Sequence, residues 1–132
     1  MRCSFVGNII CAKLTVSSRI SDGTGNVWSK TYDAMVDTGA WNTAIPPADI
    51  EIPNGQPNLK YTGTHYTTGL GWSGNLALYE ATLLIGEEDT YYNSEILATP
   101  HNFGPVIGRE IISQYRWDID YKSKMIKVSK YT

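Results

Sequence analysis

Short alternating runs broken by turn residues, with almost no helical period, constrain this chain more than any other feature. "NIICAKLTVS" and "VWSKTYDAMV" alternate in the manner of half-buried strands. Between them lies "SDGTGN", whose Asp22-Gly23 and Gly25-Asn26 pairs predict a hairpin loop. "LKYTGTHYTT" and "NLALYEATLLIG" flank the glycine-spaced tip "GLGWSG" and predict a projecting hairpin. A further strand is expected at "SEILAT", and "RWDIDYKSKMIKV" reads as a last hairpin turning around Lys122-Ser123. "PPADIEIPNGQPN" holds four of the six prolines and an Asn54-Gly55 turn, yet patterned strands resume at once, so it is a loop and not an interdomain linker. Only "GREIISQY" suggests a helix, and a short one. There is no internal repeat. The pattern predicts one domain over residues 1–132, all-β and mostly antiparallel, with a short helix near its end.

Composition narrows the function classes. A chain of 132 residues, 42% hydrophobic, is long enough to bury a core without disulfide or metal staples. A net charge of −2 argues against a nucleic-acid partner, and the basic run "YKSKMIKVSKY" reads as the solvated face of a terminal strand. No apolar run reaches the length of a membrane span, so no membrane partner is expected. The start, "MRCSFVGNIICAKL", makes a poor signal peptide because Gly7 and Asn8 interrupt its apolar patch. Met1 leading directly into a strand pattern fits a chain produced on its own. Cys3 and Cys11 have no CxxC spacing and no ligand-spaced histidine, so two reduced thiols are expected, which points to a cytoplasmic location. His65 and His101 lack partners at metal spacing and read as surface residues; no metal or organic cofactor is implied.

"YDAMVDTGAWNTAIP", residues 32 to 46, carries the chemistry. An apolar strand runs to Val36, meets Asp37, turns through Thr38, Gly39 and Ala40, and resumes as an apolar run. Asp37 either makes a turn hydrogen bond or acts as a catalytic acid. Gly39 permits a tight turn where a side chain would obstruct an approaching substrate. Two further features follow in order: the glycine-rich tip at 69 to 74, and "VIGREII" at 106 to 112.

In this order the three features resemble the retroviral-type aspartic proteases, the retropepsins, across most of the chain. The resemblance implies a closed, mostly antiparallel acid-protease barrel with a flap hairpin, and a catalytic Asp37 supported by Thr38 and Gly39. Those enzymes use two carboxylates that hold a water and share one proton, since two close acids do not both ionise cheaply. The chain has a single Asp-Thr-Gly, so the partner acid comes from a second copy, a homodimer with its two-fold axis between the Asp37 side chains. The Thr38 hydroxyl is expected to be buried and to reach the opposite loop. Gly69, Leu70 and Gly71 look like the flap tip that closes over an extended peptide or polyprotein substrate.

By the same resemblance Gly39, Ala40 and Ile107 join the flap tip as substrate-binding residues. Trp41 beside the cleft and Trp72 at the tip are added to them as departures from the family pattern, Trp72 having no counterpart there and either covering the cleft or packing against the partner flap. Asn42, Gly108 and Arg109 give structural support. Viral enzymes of the resembled family often place an acid where this chain has Asn42, so Asn42 is expected to accept a hydrogen bond from Arg109 without the charge-assisted gain. Trp41 replaces a small or acidic residue and favours bulky apolar substrate side chains. The function implied is an aspartic endopeptidase. The alternatives are a non-catalytic peptide-binding or scaffold domain on the same fold, and a monomeric β domain in which Asp37 only makes a turn.

Overall fold

A computed structural model describes residues 2–18, 28–51, 57–69, 72–86, 91–99 and 104–131. Its strands are β1 Cys3–Val6, β2 Ile9–Ser17, β3 Ser29–Val36, β4 Ala44–Ile45, β5 Lys60–Gly69, β6 Trp72–Ile85, β7 Tyr91–Ala98, β8 Val106–Ile107, β9 Tyr115–Asp120 and β10 Met125–Lys130. The helix α1 covers Arg109–Ile112, and a 3-10 turn covers Pro47–Asp49. The chain is therefore mostly β, as its alternation predicts. The loops expected at 21–26 and at Asn54-Gly55 lie outside the described residues.

Eight strands form one sheet in the order β1-β2-β3-β8-β4-β7-β6-β5, and β6 pairs β2 as well. The additional pairing sets Leu14 opposite Ile85 and Val16 opposite Leu83, so the sequence of neighbours returns to β2. Most pairings are antiparallel; β3–β8 and β4–β7 are parallel. Strand period two then sorts the side chains. Ile10, Ala12, Leu14 and Val16 of β2 point into the core, joined by Tyr79, Ala81, Leu83 and Ile85 of β6. Ile45, Ile96 and Ile107 complete its centre, each at 0% exposure. Burial of each such side chain contributes about 1.5–3 kcal/mol before entropy is counted.

The N-terminal segment gives form to the strand pattern expected after Met1, and the segment near the other end departs from expectation. The N-terminal apolar patch is a hairpin: β1 pairs β2 with Phe5 opposite Ile10 and Val6 opposite Ile9. Its turn uses Gly7 at φ +64°, a conformation that glycine adopts without steric cost. Cys3 lies opposite Ala12 and Cys11 opposite Ser4, so the two thiols point to opposite faces; both are free. Near the other end, the helix expected over "GREIISQY" is only the four residues of α1. Tyr115 is claimed by the core at 2% exposure, and the Trp117 indole N–H donates to the Ile112 carbonyl at 2.9 Å, which stops the helix and starts β9.

β9 and β10 form a separate two-stranded sheet whose inner residues Tyr115, Trp117 and Val128 pack on the main core. The hairpin turns where expected, with Asp120 Oδ1 accepting from the backbone N–H groups of Lys122 and Ser123 at 3.0 and 3.2 Å. Among the described residues, no helix is long and apolar enough to cross a membrane.

Candidate active site

Asp37 stands at the end of β3, and its position is set by the strand beside it. Met35 and Val36 pair in parallel with Val106 and Ile107, and the Asp37 N–H continues the ladder onto the Ile107 carbonyl at 3.0 Å. The chain then turns sharply. Asp37 Oδ1 accepts the Gly39 N–H at 2.8 Å, and the Ala40 N–H donates to the Asp37 carbonyl at 3.2 Å. A Cβ on Gly39 would sit 3.1 Å from Asp37 Oδ1, so glycine keeps the carboxylate approachable. One carboxylate oxygen thus serves the turn, while Oδ2 takes no hydrogen bond among the described residues. Thr38 and Gly39 are exposed, so in the single chain the Thr38 side chain is not buried as expected.

The segment after β8 crosses behind this loop and fastens it. Gly108 donates its N–H to Thr43 Oγ1 at 3.1 Å, and Thr43 donates its own N–H to Glu110 Oε1 at 2.6 Å. The Arg109 N–H reaches the Ala40 carbonyl at 2.9 Å. The approach is so close that a Cβ on Gly108 would meet the Asn42 carbonyl carbon, with the Asn42 oxygen and Glu110 Oε2 each at 2.7 Å. Glu110 Oε2 is buried without a hydrogen-bond partner. Burial pushes the Glu110 carboxyl above the usual carboxylate range, partly offset by its bonds to Thr43. Thr43 and Glu110 were not singled out by sequence. A polar threonine enclosed in the apolar resumption after Asp37 was the available signal.

Arg109 ties the helix to the acid loop, though not through Asn42. Its Nε donates to the Thr38 carbonyl at 2.6 Å, and its guanidinium lies 4.0 Å from the centroid of the Trp41 ring. Asn42 instead donates Nδ2 to the Glu95 carbonyl at 3.4 Å, which corrects the expected Arg109 contact. Ile107 also differs from its expected role. Its side chain is wholly enclosed in the core, and what it offers the site is the carbonyl that accepts from Asp37.

The alternation that builds the core also builds a second apolar face. On β4, β6, β7 and β8, one residue enters the core and its neighbour points the other way. Ile45, Ile96, Ile107 and Tyr79 go inward; Ala44, Leu97 and Val106 form a separate buried cluster, with the partly buried Leu78 packed against it. Met35, Ala40 and Leu76 pack on that cluster and remain partly exposed. Period two from Met35 directs Asp37 to this same face. An acid loop, an apolar floor and the β5–β6 hairpin therefore adjoin on one side of the sheet. Met35, Leu76, Leu78 and Val106 were missed as floor residues. Their signal was local: the short runs Ala34-Met35-Val36, Leu76-Ala77-Leu78 and Val106-Ile107 are apolar at successive positions and hence on both faces.

The β5–β6 hairpin extends from this face toward the expected tip. It pairs from Lys60–Glu80 through His65–Leu76 to Gly69–Trp72, with an irregularity between Tyr61 and Gly63. Gly69 and Trp72 form its last backbone pair, while Leu70 and Gly71 lie outside the described residues. His65, opposite Leu76, is exposed; His101 lies outside the described residues.

A mostly antiparallel β domain presenting an aspartate on a strand-to-glycine turn, crossed behind by an apolar-apolar-Gly-Arg segment, defines the class of domain to which acid proteases belong. Residues 13–120 match the family model described as retroviral aspartyl protease, and the chain belongs to that family. A search among curated proteins returns no match.

Proposed function

We propose that the chain is an aspartic endopeptidase whose active form is a homodimer with one Asp37 from each copy. The observation that carries the proposal is the state of Asp37: fixed at a strand end by the Ile107 carbonyl, braced at Oδ1 by the Gly39 N–H, and set in a loop whose Ala40 packs on an apolar floor. The turn bond alone would suit a structural aspartate. Family membership over residues 13–120, together with the crossing segment behind the loop, favours the catalytic reading.

In the proposed dimer the two carboxylates hold a water and share one proton. The ionised acid takes a proton from the water as its oxygen attacks the scissile carbonyl carbon, and the protonated acid gives its proton to the carbonyl oxygen. Collapse of the tetrahedral diol then breaks the C–N bond, with a proton delivered to the leaving nitrogen. The neighbour sequence that returns to β2 supports a closed barrel as the frame. The β5–β6 hairpin serves as the flap, and the substrate lies extended beneath it, held largely through its backbone. The free thiols suit a reducing cytoplasm.

The test compares wild type with Asp37→Asn on an unstructured polypeptide at mildly acidic pH. Wild-type cleavage that is slowed by a pepstatin-type inhibitor and absent in a folded Asp37→Asn variant supports the proposal. Equal cleavage by the two proteins overturns it.

A further inference from the structure

Trp41 is 62% exposed, an unusual setting for an indole, and lies four residues after Asp37 in the same loop. The Arg109 guanidinium covers one face of its ring at 4.0 Å from the centroid. Arg109 is itself held at two points, Nε on the Thr38 carbonyl at 2.6 Å and the backbone N–H on the Ala40 carbonyl at 2.9 Å. Both anchors belong to the acid loop. The indole is thus pinned by one face to the loop that carries Asp37, and its exposure resides on the opposite face and edges.

Two physical consequences follow for anything that docks there. The ring is already immobilised, so a stacking partner does not repeat the ordering cost that a free tryptophan would impose. The guanidinium also occupies the electrostatic attraction of the ring for cations. A second cation on the open face would meet a positive charge across one ring thickness. An aromatic or other apolar side chain meets no such penalty and gains the ordinary offset or edge contact between rings.

We propose that Trp41, positioned by Arg109, is a specificity-determining ledge that accepts an aromatic side chain of the peptide substrate and disfavours lysine and arginine at that subsite. This rests on the endopeptidase reading above. It adds a discrimination that the apolar floor of Met35, Leu76 and Val106 does not supply, because aliphatic floors do not distinguish a planar ring from a branched chain by stacking.

The experiment scans fluorogenic peptides that vary one position at a time among Phe, Leu and Lys, with kcat/KM as the readout. For wild type, one subsite favours Phe over Lys, and Trp41→Ala lowers that ratio about three- to tenfold, the range of a lost aromatic contact. Trp41→Phe retains most of the ratio. Arg109→Gln raises the relative rate for Lys, a change that general damage to the loop does not produce. Sedimentation shows Trp41→Ala still assembled as wild type is. An unchanged Phe-to-Lys ratio in Trp41→Ala overturns the ledge while leaving Asp37-dependent cleavage intact. Loss of assembly in Trp41→Ala also overturns it, assigning Trp41 to the contact between copies. Cleavage that persists in Asp37→Asn removes the peptidase reading and the ledge with it.

Discussion

Replacing Gly108 by alanine is a severe test of how the acid loop is held. Gly108 has an extended backbone, φ −93° and ψ −179°, so alanine meets no conformational penalty there. The cost comes from space alone. The added methyl would press on the Asn42 carbonyl, whose oxygen stands 2.7 Å from the Cβ position, with Glu110 Oε2 equally close. The carboxylate can swing aside, but the Asn42 backbone moves only if the loop moves. Relief by separation stretches the bond from the Gly108 N–H to Thr43 Oγ1 and the bond from the Arg109 N–H to the Ala40 carbonyl. Overpacking of this kind costs about 1–3 kcal/mol. Loss of one buried hydrogen bond adds about 1 kcal/mol. Gly108→Ala is therefore expected to lose about 2–4 kcal/mol in urea unfolding, read as a lower midpoint at unchanged slope. Cleavage should fall further than stability explains, because the displaced segment holds the loop of Asp37. A variant within about 0.5 kcal/mol of wild type would refute the reasoning, since that is the ordinary scatter of harmless surface changes.

Two other perturbations probe the same fastening. Thr43→Val keeps the shape but removes the acceptor of the Gly108 N–H, and should destabilise the fold by about 1–3 kcal/mol; a neutral effect by denaturant unfolding would show that this bond does not hold the crossing. Glu110 tests the electrostatics of burial. Its carboxyl is raised in the folded chain, so its stabilising contribution is complete below the ordinary carboxylate pKa and is lost as pH rises through the raised folded value. The stability of wild type relative to Glu110→Gln should accordingly be greater near pH 4 than near pH 7. A difference that stays flat across that interval contradicts the assignment.

The fold class was legible because alternation is a local property. β2, β3, β5, β6 and the β9–β10 hairpin each carry their own period and turn residues, and the turn beside Lys122-Ser123 declares itself through Asp120. β4 and β8 were not legible as strands, since two residues are too few to show a period. β1 was legible as a strand pattern after Met1, but its pairing with β2 was not, because the turn at Gly7 and Asn8 also reads as a mere break in an apolar patch. The helix was overextended because "REIISQY" gives no local sign that Tyr115 is needed in the core.

At the site the same division holds. Asp37, Gly39 and the arginine of the crossing segment are visible as a motif, whereas the contacts that give them meaning join distant parts of the chain. The reason for Gly108 is the backbone of Asn42, and the partner of Arg109 is the ring of Trp41 and not the neighbouring amide. Likewise, the apolar floor arises only when β3, β4, β6, β7 and β8 set their outward residues side by side. A strand apolar on both faces announces two buried surfaces, but it does not reveal that one of them adjoins an acid.

Mixing wild-type and Asp37→Asn chains tests the shared dyad most directly. At equal amounts and random pairing, about one quarter of dimers contain two aspartates, so cleavage per wild-type chain should drop to about half its unmixed value. Dilution should extinguish activity in step with the dimer population measured by sedimentation. Cleavage per wild-type chain that is unaffected by the added variant, or that persists in the monomer, would contradict a site assembled from two copies.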